Sequence, residues 1–160
     1  DINESAMKVP SINDALKTNN IPGAITFQPY VSIAESNDNI EELADSSEII
    51  PGHPCCVVVA SDDFLKNHKD TAKDIVAIHK NATDFINEKV SSGKTAEVVK
   101  LLPEDIVADP AAEADSLQSF PFISGLDTLY KADVDDFQEL EVDLGILNKT
   151  ISQEDLYWEA

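Results

Sequence analysis

The sequence has no arginine. All 11 basic residues are lysines, set against 31 acids, and the formal charge is −20 over 160 residues. The bidentate guanidinium clamp for carboxylate and phosphate ligands is therefore missing. Nucleic acid is not expected as a partner, because neutralising its phosphates takes clustered cations, and an anionic membrane surface is a poor partner for the same reason. An anionic ligand would have to be met by lysine, backbone amides or a helix N-terminus. The acid excess itself reads as a solvated surface.

Cysteine is nearly absent too. Cys55 and Cys56 are adjacent, which is no disulfide framework. Neighbours along a strand point to opposite faces, so a bridge between them would strain the backbone. No apolar run approaches the ~18 to 20 residues of a membrane span, and no signal peptide is legible. The chain opens on Asp1 rather than Met, which is the expectation for a processed or excised piece. A missing leader then says nothing about compartment. No Ser-His-Asp trio, glycine-rich phosphate loop or paired-carboxylate motif stands out. There is no internal repeat.

What remains is a chain of ordinary domain length with 42% hydrophobic residues, enough for a real core. The organising stretch is Met7 to Tyr30, MKVPSINDALKTNNIPGAITFQPY. It reads as a strand end, a helix capped by Ser11 with Asp14 three residues on, and a second strand over Ala24 to Phe27. Asn19, Asn20, Pro22 and Gly23 end the helix, and Pro29 stops the strand. Strand, helix and strand with short links make a parallel βαβ unit. In open α/β sheets ligands meet the carboxyl ends of strands. That places candidate sites at Val9 to Ser11 and at Gln28 to Tyr30.

Further along, Tyr30 to Ala34 opens a short helix after Pro29. Glu41 to Ala44 fits a short strand or one helical turn. Cys55 to Ala60 is an unbroken apolar run, read as a strand buried on both faces. From Ser61 the chain turns helical. Asp62 and Asp63, following Ser61, suit the N-cap and first turn of a helix over Asp62 to His68. Asp70 to Val90 forms a long helix with Ile75, Ile78, Ala82, Phe85 and Ile86 on its apolar face, broken by Gly93. Thr95 to Leu102 repeats the pattern. Pro110 opens an Ala-rich turn, Ser119 to Ile123 reads as an edge strand or packing loop, and Val134 to Leu144 is an amphipathic helix ended by Gly145. Ser152 with Asp155 forms a last cap. The fold class read from this order is α/β: a βαβ unit followed by a helical C-terminal segment.

Two blocks carry a family resemblance. VPSINDALKTNNIPGAITFQPYVSIAE resembles the "ALxxGxIDAxxxxEP" block of the nitrate/sulfonate/taurine/thiamine-precursor family of solute-binding proteins. IIPGHPCCVVVASDDFLKNHKDTAKDIVAIHKNATDFINE is similar to that family's strand returning to its first lobe and the helices after it. Order and spacing match over most of residues 7–158. The resemblance implies a two-lobe, periplasmic-binding-protein-like (type II) fold closing on a small solute. Residues 1–50 would be part of the second α/β lobe. Residues 51–160 would be a hinge strand and helical segment returning toward a first lobe that the chain lacks. The implied role is the solute-binding component of an ABC importer, extracytoplasmic, working with a membrane permease and an ATPase. It would bind nitrate, a sulfonate, a thiamine precursor or a similar anionic or neutral solute. No cofactor is implied. A lobe surface left bare would favour self-association of the piece.

The candidate ligand-binding residues are Gln28, Pro29, Tyr30, Lys8, Pro10, Ser11 and His53. Gln28 stands where the family commonly has Glu. A neutral amide both donates and accepts, which suits an anionic or neutral solute better than a cation. Lys8 and the helix start at Ser11 could meet an anion; the plainer alternative is an ordinary cap beside a surface lysine. For Gln28 to Tyr30 the plainer alternative is a strand terminator. His53 with Cys55 and Cys56 is the only soft-ligand cluster. Hydroxymethylpyrimidine synthase, an enzyme on the same fold, carries a cysteine-rich, iron-linked motif in this region. A metal-dependent enzyme of that kind is the alternative function, although only two of the required cysteines are present. The plainer reading of the pair is core.

Overall fold

The computed structural model describes residues 2–119, 121–126 and 128–158. Asp1, on which the reading of the chain start rests, and Phe120, in the expected Ser119 to Ile123 strand or loop, lie outside the described residues. The described residues contain nine helices: α1 (Val9–Lys17), α2 (Tyr30–Glu35), α3 (Ser46–Ile49), α4 (Asp62–Asn67), α5 (Lys69–Ser91), α6 (Thr95–Val99), α7 (Pro110–Ser116), α8 (Thr128–Asp143) and α9 (Gln153–Leu156).

They contain no β-strand, and this overturns the α/β reading. The expected strand end before α1 is an extended approach to the helix, with Lys8 as N-cap. Ala24 to Phe27 and Cys55 to Ala60 are irregular, and Glu41 to Ala44 is neither strand nor helix. A strand exists only through a ladder to a partner, and hydrophobic pattern alone does not supply one. The run expected to be buried on both faces is instead open to solvent: Val57, Val58 and Val59 are 61%, 58% and 83% exposed. Among the described residues there is accordingly no βαβ unit, and no sheet of the kind that the two-lobe type II reading requires.

The helices follow local chemistry closely. Ser61 caps α4 by accepting from the Phe64 amide at 3.2 Å, and Ser152 caps α9 by accepting from Asp155. Asp109, which the sequence reading passed over, caps α7 by accepting from the amides of Ala111 (2.9 Å) and Ala112 (3.1 Å), with Pro110 in the first turn. Three helices end in the same paired 6→1 and 5→2 bonds around a left-handed residue. At Asn19 (φ 55°) they run Asn20 N–H to Ala15 and Asn19 N–H to Leu16. Gly93 (φ 68°) and Gly145 (φ 72°) close α5 and α8 in the same manner.

The chain divides into two compact units: Asp1–Leu43 with Phe85–Phe122, and Ala44–Asp84 with Ile123–Ala160. In the first, α1 packs on α2, α2 on α7 and α7 on α6. Its apolar centre is Val98, Val99 and Leu117, with Phe85, Ile86, Val90, Val107, Ala114 and Phe122 packed around them. Asn87 ties this centre together by donating to the Phe122 carbonyl at 2.7 Å. In the second, Gln138 on α8 is buried and clasps Ile151 by accepting from its amide (2.8 Å) and donating to its carbonyl (3.3 Å). The apolar face expected along α5 is only half realised. Phe85 and Ile86 pack into the core, whereas Ile75 and Ile78 are 41% and 68% exposed.

Candidate functional site

Six of the seven candidate residues fall in the first unit, on the start of α1 and the turn into α2. Ser11 does not cap α1. Lys8 is the N-cap, without a side-chain capping bond, and Pro10 and Ser11 occupy the first turn, where the Ser11 amide donates to the Lys8 carbonyl at 2.8 Å. The capping box with Asp14 is accordingly not formed. The helix begins one turn earlier than Ser11 because proline in the first turn costs no hydrogen bond there and pre-sets the helical φ. Lys8, Pro10 and Ser11 are exposed, and among the described residues no acid pairs with Lys8.

The Gln28–Pro29 peptide is cis, and Gln28, Pro29 and Tyr30 are half-buried. The Gln28 side chain caps α2 from outside: its Oε1 accepts from the Ser32 amide (3.2 Å) and hydroxyl (3.0 Å). Its Nε2 donates to Ser119 Oγ at 3.2 Å, just past the end of α7. The Tyr30 ring stands edge-on to Phe27, with centroids 5.9 Å apart. Its carbonyl accepts from Asn13 Nδ2 at 3.0 Å. Asn13 is 5% exposed and its Oδ1 has no partner among the described residues. Sequence reasoning missed Asn13 and Ser119. A polar residue on the inner face of an otherwise apolar helix was the available signal for Asn13. None pointed to Ser119.

The structure thus brings α1 and the Gln28–Tyr30 turn together through Asn13. Among the described residues no hydrogen bond or ion pair joins the side chains of Lys8 or Ser11 to Gln28 or Tyr30.

His53 lies in the second unit. Its Nδ1 sits 2.9 Å from the Ile50 carbonyl, which fixes the ring and requires that nitrogen to carry the proton. The ring leans on Phe137 at 6.4 Å. Around it is a cavity of about 80 Å³ lined by Ile50, Pro51, His53, Asp133, Asp136, Phe137 and Leu140. Gly52 (φ 74°) makes the bend that presents His53 there, and a Cβ at Gly52 would stand 3.2 Å from the Asp133 carboxylate. Cys55 and Cys56 are exposed free thiols rather than core. Among the described residues no three His, Cys, Asp or Glu side chains cluster as a metal would require, so the donor set does not fit the iron site of the alternative reading.

Residues 1–102 match the family profile described as NMT1-like. The chain belongs to the NMT1-like family. This is a family of nitrate, sulfonate and thiamine-precursor solute-binding proteins of ABC importers, so the general role of the NMT1-like chain is ABC-type solute binding. The match covers both resemblance blocks and stops at Leu102, short of α7, α8 and α9. No curated protein and no solved structure matches the chain. Among the described residues no helix is long and apolar enough to cross a membrane.

Proposed function

We propose that this NMT1-like protein is the extracytoplasmic solute-binding component of an ABC importer. Its solute is small and anionic or neutral: nitrate, a sulfonate or a thiamine precursor. It delivers that solute to a membrane permease and its ATPase. The observation that carries this reading is the family match over residues 1–102. In the first unit contact falls to Gln28, Pro29 and Tyr30, with Lys8, Pro10 and Ser11 at the start of α1; His53, in the second unit, is a contact candidate by itself. The preference for anionic or neutral solutes rests on chemistry. The chain has only lysine cations, the exposed Lys8 carries no acid partner among the described residues, and Gln28 is an amide where a carboxylate would favour a cation. The Gln28 Nε2 bond to Ser119 is exposed at 3.2 Å, so that donor can be exchanged for a solute oxygen at little cost.

Self-association is part of this proposal. Support comes from the exposed apolar run Val57 to Val59, three consecutive valines open to solvent. Light scattering that finds a monomer at high concentration removes it without touching the solute reading. The solute reading is tested by calorimetric titration with nitrate, taurine, an alkyl sulfonate and a hydroxymethylpyrimidine precursor. Saturable heat from one of them is the expected result, weakened by Gln28→Ala. No heat from any of them overturns it.

A further inference from the structure

The Cys55 and Cys56 sulfurs lie 3.5 Å apart, on the same side of the backbone. Consecutive side chains of a pleated strand point to opposite faces. Their convergence here follows from the absence of a ladder: nothing among the described residues holds Cys55 to Ala60 in a pleat. Both thiols are reduced and exposed, which is unusual for a residue type that is most often buried. The hydrogen bond between the two sulfurs holds the Cys55 thiol above its usual range, with burial adding to the effect. Such a thiol is a poor nucleophile taken singly, because the thiolate is the reactive form. Taken together, two sulfurs at this separation offer an acceptor of both what neither offers alone.

We propose that Cys55 and Cys56 form a pre-organised dithiol site for a soft, thiophilic centre that takes two sulfurs. Trivalent organoarsenicals are the test chemistry of that class. The pairing is of soft sulfur donors with a soft acceptor. With phenylarsine oxide both S–H bonds break, two As–S bonds form, and the As–O bond is lost as the two thiol protons leave with that oxygen as water. No electron is transferred and no oxidant is needed. The second As–S bond forms at the high effective concentration set by adjacency, so the pair binds more tightly than either thiol. This site is separate from the iron-linked reading. It uses neither His53, whose Nδ1 is held by the Ile50 carbonyl, nor a third ligand. It is also independent of the solute proposal.

The test is titration of the reduced full chain with phenylarsine oxide under anaerobic conditions, followed by thiol counting and intact mass. The expected result is one arsenical per chain with both thiols consumed, and affinity at least ~100-fold above that of Cys55→Ser or Cys56→Ser. Each variant is first shown to retain the wild-type circular dichroism. Repeating the titration in urea separates geometry from mere adjacency in sequence, since a pre-organised pair loses affinity on unfolding. Equal affinity in wild type and single variants, arsenicals bridging two chains, or no loss of affinity in urea each overturns the proposal.

Discussion

Asn13 on α1 donates its side-chain amide to the backbone carbonyl of Tyr30, 3.0 Å away, and is itself buried. The bond links two segments separated by the whole 18–29 connection, and it fixes the first residue of α2. The Tyr30 carbonyl is only half-buried, so losing its donor costs toward the lower end of the range for an unpaired buried group, about 1 kcal/mol. Asn13→Ala is expected to lower the stability of the chain by that amount in urea unfolding. Asn13→Asp should cost more, because a carboxylate cannot donate to the Tyr30 carbonyl and would be buried beside it. Equal stability of the wild type and Asn13→Asp would show that the bond does not hold the turn.

Gly52 and Gly93 separate two costs that usually arrive together. Both have left-handed φ, 74° and 68°. A Cβ at Gly93 meets nothing within 4 Å, while at Gly52 it would lie 3.2 Å from the Asp133 carboxylate. Gly93→Ala should cost about 1–2 kcal/mol from the backbone alone. Gly52→Ala should cost more, and the excess should shrink in a Gly52→Ala/Asp133→Ala double variant. Denaturant midpoints of the four proteins measure both quantities.

Lys89 gives a pH signature. Its ammonium lies 3.0 Å from Glu97 and 3.6 Å from Glu88, and 5.2 Å over the Phe85 ring. The hydrogen bond to Glu97 raises the Lys89 pKa, and the same bond lowers that of Glu97. The Glu97 contribution is present above the ordinary carboxylate value and is lost as pH falls through its lowered folded value. The Lys89 contribution is present below the ordinary lysine value of 10.5 and is lost as pH rises through its raised one. Glu97→Gln should therefore be less stable than wild type across the neutral range, and the gap should close at both acidic and strongly alkaline pH. A gap that persists into acid would mean that the pair contributes through packing rather than charge.

The sequence was a good guide wherever the decisive partner lay within a turn of chain. Ser152 read as a cap because the amide it satisfies is three residues on, and Gly93 and Gly145 read as helix stops because a left-handed residue is required there whatever surrounds it; at α4 the expected cap, Asp62, is one residue past the observed one, Ser61. α4 and α5 fell within one residue of their expected bounds, whereas α8 starts at Thr128, six residues before the expected Val134. Ser11 was misplaced as a cap through a local competition, in which Pro10 favours a start one turn earlier.

Whether an apolar run is a strand was outside the reach of the sequence. Ala24 to Phe27 and Cys55 to Ala60 have strand composition, yet a strand is defined by hydrogen bonds to a second segment, and the described residues supply none. The same holds for the partners of Gln28, a residue that its place at an expected strand tip and the family resemblance put at the solute. Its amide is engaged by Ser32 and by Ser119, the latter 91 residues away, a contact that only folding could specify. By itself the sequence determined where several helices stop, the chain's charge and its family, because these are set by composition and near neighbours. Tertiary structure decided which segments lack a ladder, which polar groups face inward, and that two adjacent sulfurs meet, because each depends on what lies across space rather than along the chain.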